Sequence, residues 1–213
     1  GDSGDLIFMA DGAAIDAGTG MILMTTSASS DDGGNITLTG LKTTNSSNTA
    51  VTISSASAVI VGGDTDIDID ANNGRVVIDA ATGVGFTAGG GTDVAIETSA
   101  GSLDVENLSN VNPADGDINI DETDDVTVIQ LDNDATDADG GNEGDIRLTT
   151  AGSTITIADE SVGGLGVVAV DGDILLDGHF GEAGEQGVKL GAGGAITLHS
   201  LVALLKDQPR RER

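Results

Sequence analysis

The sequence predicts an all-β protein, a parallel β-helix whose chain coils in rungs of about 27 residues. Three observations predict it: short runs of alternating apolar residues, a motif that recurs along the chain, and an almost complete lack of aromatic side chains. With three short strands per rung, we expect about eight rungs. Residues 1–200 then form a single β-helix domain, and residues 201–213 form a short C-terminal cap or tail.

The strands are predicted by pairs of apolar residues that are separated by a single residue. This spacing is strand alternation, and the segments between the pairs are rich in the turn residues Gly, Asp, Asn and Ser. A disordered chain has no reason to keep such a spacing, although the high charge and low aromatic content are typical of disorder. The residues expected to point into the coil include Ile36, Leu38, Ile67, Ile69, Ile118, Ile120, Ile146, Leu148, Ile155 and Ile157.

The rungs are predicted by a five-residue motif with eight copies. The copies are GDLIF from Gly4, GNITL from Gly34, TDIDI from Thr65, TDVAI from Thr92, GDINI from Gly116, GDIRL from Gly144, GDILL from Gly172 and GAITL from Gly194. Three strand-like pieces follow within a unit, for example Ile36–Leu38, Val51–Ile53 and Val59–Val61. A rung of this kind cannot bury its own apolar side chains, so stacking must place aliphatic residues on aliphatic residues along the axis.

Composition agrees with a narrow coil. The chain has 33 glycines, three Phe, and no Trp, Tyr or Cys. Aliphatic side chains fill such a coil, and glycines suit its tight corners. A left-handed hexapeptide helix is the competing fold, but the sequence shows no six-residue repeat.

The charge limits the partners. With 36 acidic and 8 basic residues, the formal net charge is -28. We therefore expect no nucleic-acid binding, since phosphate contacts need Lys and Arg, and we expect cations or basic partners instead. No apolar stretch is long enough to span a bilayer, so no membrane insertion is expected. No basic segment followed by an apolar segment opens the chain, which suggests a mature or excised segment.

The second position of the motif forms a predicted column of acidic residues. It is occupied by Asp5, Asn35, Asp66, Asp93, Asp117, Asp145, Asp173 and Ala195. Like charges at the spacing of stacked strands, about 4.8 Å, repel one another. The carboxylates must therefore accept hydrogen bonds from amides in turns, which we favour, or be neutralised by cations.

The stretch DNDATDADGGNEGD, residues 132–145, is predicted to be an enlarged corner of one rung. Its dense oxygen ligands make a weak Ca²⁺ site one interpretation, and a solvated acidic loop is the other. The spacing matches neither an EF-hand nor the Gly-rich nonapeptide of β-roll proteins. The candidate metal ligands are Asp132, Asp134, Asp137, Asp139 and Glu143.

No catalytic or cofactor-binding residues are predicted, so we expect no enzyme activity and no cofactor other than this possible Ca²⁺. Carboxylates are plentiful, yet the basic residues that a polysaccharide-active β-helix enzyme uses are scattered, and no aromatic platform for a sugar exists. The scattered basic residues are Lys42, Arg75, Arg147 and Lys189. Such an enzyme remains an alternative, with a cleft of clustered Asp, Arg and Lys on one face as its mark.

The motifs GDINI, GDIRL, GDILL, GNITL and AGSTITIA resemble the giant repetitive surface proteins of bacteria, which include the filamentous-haemagglutinin-like adhesins. The resemblance covers about residues 4–198. It implies a right-handed coil, export to the bacterial cell surface, and a structural or adhesive role towards a cell-surface or matrix ligand. A self-assembling extracellular filament is a further alternative, because an open coil end can stack on the next copy.

Overall fold

The computed structural model describes residues 7–27, 34–62, 67–87, 94–108, 116–134, 144–158, 166–170, 172–180, 190–192 and 196–199. All regular structure in these ranges is β-strand, and the strands pair in parallel into one continuous sheet. The predicted parallel β-solenoid is therefore confirmed. Within the described ranges, no helix has the length and apolarity needed to cross a membrane.

The strands lie in three columns, and each strand pairs with the strand one turn later. The first column contains β1 (Ile7–Phe8), β4 (Ile36–Leu38), β7 (Val59–Val61), β10 (Val84–Thr87), β13 (Ile118–Glu122), β15 (Ile146–Ile157), β17 (Ile174–Phe180) and β19 (Ile196–His199). The second contains β2 (Ile15–Asp16), β5 (Leu41–Lys42), β8 (Ile69–Asp70) and β11 (Ile96–Ser99), and continues in β13 and β15. The third contains β3 (Ile22–Thr25), β6 (Val51–Ser55), β9 (Arg75–Ala80), β12 (Ser102–Asn107), β14 (Val126–Asn133), β16 (Val167–Ala169) and β18 (Leu190–Ala192).

Three separate strands per turn are found only in the first part of the coil. From Ile118 onwards the columns merge, because β13 covers the first two columns and β15 also pairs with the third-column strand β14. Along the first column, the chain advances by 22 residues from Ile174 to Ile196 and by 34 from Val84 to Ile118. The rung length near 27 residues, the number of about eight rungs and the right-handed sense stay predictions, since several corners lie outside the described residues.

The predicted division into rungs is wrong in the first half of the chain. Val59 pairs with Ile36, so β7 opens the next rung and does not close its own. The motif from Thr65 does not open a rung either, because Ile69 pairs with Leu41 in the second column. The rungs that open with β7 and β10 begin with apolar residues and lack the Gly-Asp signature, so the motif does not reveal them.

The core is a stack of aliphatic rows inside the coil. One row runs through Ile36, Val59, Val84, Ile118, Ile146 and Ile174, and all six side chains are at most 1% exposed. Nine of the ten predicted inward residues are buried, and Ile67 is the exception at 38% exposed. Ile67 precedes β8, where the chain turns, and the neighbouring Asp68 is buried instead, with its Oδ2 accepting the Glu97 amide at 3.1 Å.

The backbone of one rung lies so close to Gly172 of the next that this position has no room for a side chain. A Cβ on Gly172 would lie 2.3 Å from the carbonyl oxygen of Gly144, which sits one rung earlier. Backbone atoms cannot swing aside, so we expect Gly172→Ala to lower the free energy of unfolding by about 2 kcal/mol. Urea unfolding measures this loss.

The control is Gly40→Ala, whose added Cβ would lie no closer than 3.2 Å to another atom. Its expected cost is less than half as large. Equal losses for the two variants would contradict the close stacking at Gly172.

Candidate functional site

An aspartate ladder runs along the start of the first-column strands. The Oδ1 atom of Asp117 accepts the amides of Gly144 at 3.1 Å and Asp145 at 2.8 Å. The Oδ1 atom of Asp145 in turn accepts the amide of Asp173 at 2.7 Å. Asn35 acts similarly towards the amide of Ala58, at 3.0 Å. The side chains therefore accept amides, as predicted, but the donor amides belong to the next rung and not to the residue's own turn, so each side chain ties two rungs together.

The ladder is shorter than the predicted acidic column. The residues that precede β7 and β10 are Ala58 and Gly83, so the two rungs after Asn35 carry no acidic residue at this position. The same error in the division into rungs places Asp66 and Asp93 in the predicted column. Asp5, Asp66, Asp93 and Ala195 themselves lie outside the described residues.

A shallow cavity of about 220 Å³ lies beside the ladder. Its lining includes Asp117, Asp145 and Asp173, together with Arg147 and Leu175 from the outward side of the first column. Carboxylates and one guanidinium thus meet on a single face. The lining has one Arg and no Lys, so it is only part of the cleft of clustered Asp, Arg and Lys that is expected of a polysaccharide-active enzyme.

An acidic face lies on the outward side of the third column at β9, β12 and β14. We define it as Asp79, Asp104, Glu106 and Asp132. Asp79, Glu106 and Asp132 are partners in register on β9, β12 and β14. Arg75 Nη1 lies 3.5 Å from Asp104 Oδ2, and Gln130 Nε2 donates to Glu106 Oε1 at 2.8 Å and to Asp132 Oδ2 at 3.3 Å.

The pKa of every carboxyl group of the acidic face is raised, and other members of the face contribute to the rise for Asp104 and Glu106. Burial is the largest cause of the raised pKa of each group. The neighbouring carboxylates Asp79, Asp104 and Asp132 raise the pKa of Glu106 further, and Gln130 opposes this rise. The face therefore holds mutually repelling negative charge at neutral pH, which a cation or a basic partner would relieve.

The structure places two of the five candidate calcium ligands. Asp132 is half-buried on the acidic face, Asp134 is exposed at the end of β14, and Asp137, Asp139 and Glu143 lie outside the described residues. Within the described ranges, no three acidic or histidine side chains form a group that could hold a metal ion. The calcium site of residues 132–145 stays a prediction.

Calcium binding at this corner has a direct test in thermal unfolding. If Ca²⁺ binds only the folded chain, it adds about 1.4 kcal/mol of stability when free Ca²⁺ is ten times Kd. We expect millimolar Ca²⁺ to raise Tm more than Na⁺ of equal ionic strength. Asp134→Asn combined with Asp137→Asn should remove the difference.

The matched control is Asp11→Asn with Asp16→Asn, two exposed residues at the other end of the described chain. This control removes the same charge and should keep the calcium effect. Equal Tm shifts with both salts would leave the corner as a solvated acidic loop, because general screening acts on all acidic residues alike.

Two buried polar groups join rungs inside the coil, and neither was predicted. Asn107 Nδ2 donates to Asn133 Oδ1 at 2.9 Å and to the Gly116 carbonyl at 2.6 Å. Glu122, only 2% exposed, accepts hydrogen bonds from two successive corners of the coil. Each polar residue continues the inward alternation of an apolar strand, as in Leu103, Val105, Asn107, and this alternation was the available indication.

The fold and these groups define the chain as an acidic parallel β-solenoid whose rungs are tied together by polar side chains. No family model, curated protein or solved structure matches the chain.

Proposed function

We propose that the chain is a structural and adhesive segment of a large secreted protein of the bacterial cell surface, without catalytic activity. The observation that carries the proposal is that buried and half-buried polar groups join the rungs to one another. Asp117 and Asp145, the pair Asn107 and Asn133, and Glu122 all make hydrogen bonds from one rung to another. A chain that uses its polar groups in this way is suited to persist as a rod and to present its outer faces.

The acidic face supports the adhesive part of the proposal. It is the outward side of three paired strands, β9, β12 and β14, and its negative charges repel one another. A cell-surface or matrix ligand with basic groups, or a cation bridging to one, would lower that repulsion. Extracellular adhesion to such a ligand is therefore the interaction that the surface favours.

The test of this proposal uses the cells that encode the chain. Antibodies raised against the folded chain are expected to label intact cells without permeabilisation. An in-frame deletion of residues 34–180 is expected to reduce attachment of the cells to glass coated with polylysine, a basic probe. Labelling that requires permeabilisation would overturn the proposed location, and unchanged attachment would overturn the adhesive role.

A polysaccharide-active enzyme is the second candidate function, and the cavity beside the aspartate ladder favours it. Adjacent strands lie about 4.8 Å apart, so the residues that carry successive carboxylates are spaced near the separation of about 5 Å used by retaining glycosidases. Against it, Asp117 Oδ1 and Asp145 Oδ1 already accept backbone amides. Release of reducing ends from neutral or acidic polysaccharides that is lost in Asp145→Asn would establish this function; our proposal expects no release.

A self-assembling filament is the third candidate, favoured by apolar side chains on the first turn. Phe8 is 66% exposed, Met21 63% and Leu23 72%. Exposed apolar groups on the outside of a coil favour association of copies. Analytical ultracentrifugation across a hundredfold range of concentration separates the two cases, since the proposed segment stays monomeric and a filament subunit grows.

A further inference from the structure

Glu122 occupies a place inside the coil that belongs to the aliphatic core in earlier turns. Along the second column, Leu41 pairs with Ile69, Ile69 with Thr98, and Thr98 with Glu122. The side chain of Leu41 is 1% exposed, that of Ile69 0% and that of Glu122 2%. The row therefore changes from apolar to ionisable without becoming accessible to water.

The carboxyl group of Glu122 links two corners of the coil. Its Oε1 atom accepts the amide of Ala100 from the preceding rung and the amides of Thr123 and Asp124 from its own rung, each at 3.1 Å. Its Oε2 atom lies 2.7 Å from Thr98 Oγ1. Three backbone amides and one hydroxyl thus converge on one side chain.

Both protonation states of Glu122 can keep these contacts, at very different cost. A neutral carboxyl group accepts the three amides through Oε1 and donates its proton to Thr98 Oγ1 through Oε2. An ionised carboxylate accepts from all four donors, yet it leaves a charge buried with no cation to pair with it. Within the described part of the chain, Glu122 makes no ion pair.

The charged residues on the strands packed around Glu122 do not offset the negative charge of its ionised carboxylate. Glu97 on β11, Asp121 on β13 and Asp132 on β14 carry the same sign as an ionised Glu122. The exposed Arg147 on β15 lies in the outward alternation, opposite to that of Glu122. Asp124 and Asp125, in the corner itself, accept hydrogen bonds from Ser99 Oγ at 2.7 Å and the Thr154 amide at 2.7 Å.

We propose that the two corners joined by Glu122, residues 98–101 and 122–125, form a proton-dependent joint of the solenoid. With the proton on Glu122, the corners are held as in the structure. Loss of the proton near neutral pH puts a charge in the core, and the joint opens locally to let water reach the carboxylate. Turns of the coil whose inward residues are aliphatic do not respond.

Burial raises the pKa of Glu122 from the ordinary 4.5 to about 7, and its four hydrogen bonds oppose the rise. A group with a raised pKa in the folded chain stabilises the fold fully below the ordinary pKa and loses that contribution as pH rises through the folded pKa. The window for Glu122 is therefore between pH 4.5 and about 7. Within it, protection of the joint against opening should fall by about tenfold per pH unit.

The experiment is an NMR titration of the Glu122 side-chain carboxyl carbon, with hydrogen-exchange protection of the Ala100, Thr123 and Asp124 amides measured in parallel. We expect a midpoint near pH 7. We also expect the ratio of protection factors between wild type and Glu122→Gln to fall about tenfold per pH unit in the window. Gln is neutral and keeps both an acceptor and a donor, so that variant should show no such dependence.

The control is Asp125→Asn, which removes an exposed carboxylate from the same corner and keeps an oxygen acceptor for the Thr154 amide. It should retain the pH dependence of wild type. A carboxyl titration centred near 4.5, the ordinary value, would overturn the proposal even if Glu122→Gln did not fold. The same pH dependence in wild type and Glu122→Gln would overturn it as well.

Discussion

Replacing Ile118 with Asp is expected to abolish folding of the solenoid. Ile118 is 0% exposed and lies in the first column between Val84 and Ile146. A carboxyl group at this place has aliphatic neighbours on both adjoining rungs and no partner for its charge. The expected loss is about 5 kcal/mol or more, which is comparable to the whole stability of a typical domain.

Circular dichroism at neutral pH measures this effect, with Leu23→Asp as the matched control. Leu23 is also in the middle of a strand, but its side chain points outwards and is 72% exposed. The control should keep the strand spectrum and a Tm close to that of wild type. A folded Ile118→Asp chain, or equal losses for the two variants, would contradict the stacked core.

The second large effect is expected at the buried pair Asn107 and Asn133. Asn133 is 0% exposed, and its Nδ2 donates to the Gly116 carbonyl at 2.8 Å. In Asn133→Leu, one N–H of the Asn107 amide loses the Asn133 Oδ1 acceptor at 2.9 Å, while Asn107 Nδ2 keeps the Gly116 carbonyl at 2.6 Å. We expect a loss of about 3 kcal/mol, measured by chemical unfolding.

A double-mutant cycle with Asn107→Leu separates this hydrogen bond from general packing. The double variant removes the hydrogen bond between the two amides and both donors to the Gly116 carbonyl, so its cost should differ from the sum of the single variants by about 1 kcal/mol or more. Asn48→Leu, at an exposed position, should leave stability nearly unchanged. Additive losses would contradict coupling between the two rungs through these side chains.

The sequence predicted the fold class because alternation and stacking leave their mark on every strand. Ile36, Ile118 and Ile146 stand inside alternating apolar pairs, and their pairing follows from the need to bury them together. It failed where a rung begins without the motif, at Val59 and Val84, since strand columns are set by pairing over long separations. The prediction that Ile67 points inwards is wrong for the same reason, because the alternating pair Ile67 and Ile69 does not reveal that a corner lies between them.

The polar groups were harder to predict than the core. The column of Asp117, Asp145 and Asp173 was visible as a motif, yet only the stacked strands show that each donor amide belongs to the next rung. The sequence alone does not single out Asn107 and Glu122, because polarity usually indicates exposure. Their positions in β12 and β13 make both side chains point inwards. Hydrogen bonds inside the coil then offset the free-energy cost of burying polar groups.

The most direct test of the stacked order is a distance measurement between spin labels, which the lack of cysteine makes simple. Labels on cysteines introduced at Phe8 and Arg147 are separated by five pairing steps of the first column, and labels at Phe8 and Leu175 by six. The expected backbone separations are about 24 Å and about 29 Å, so the two label distances should differ by about 5 Å whatever the length of the label arms. Equal distances, or a shorter distance for Leu175, would contradict a solenoid that adds one rung between Arg147 and Leu175.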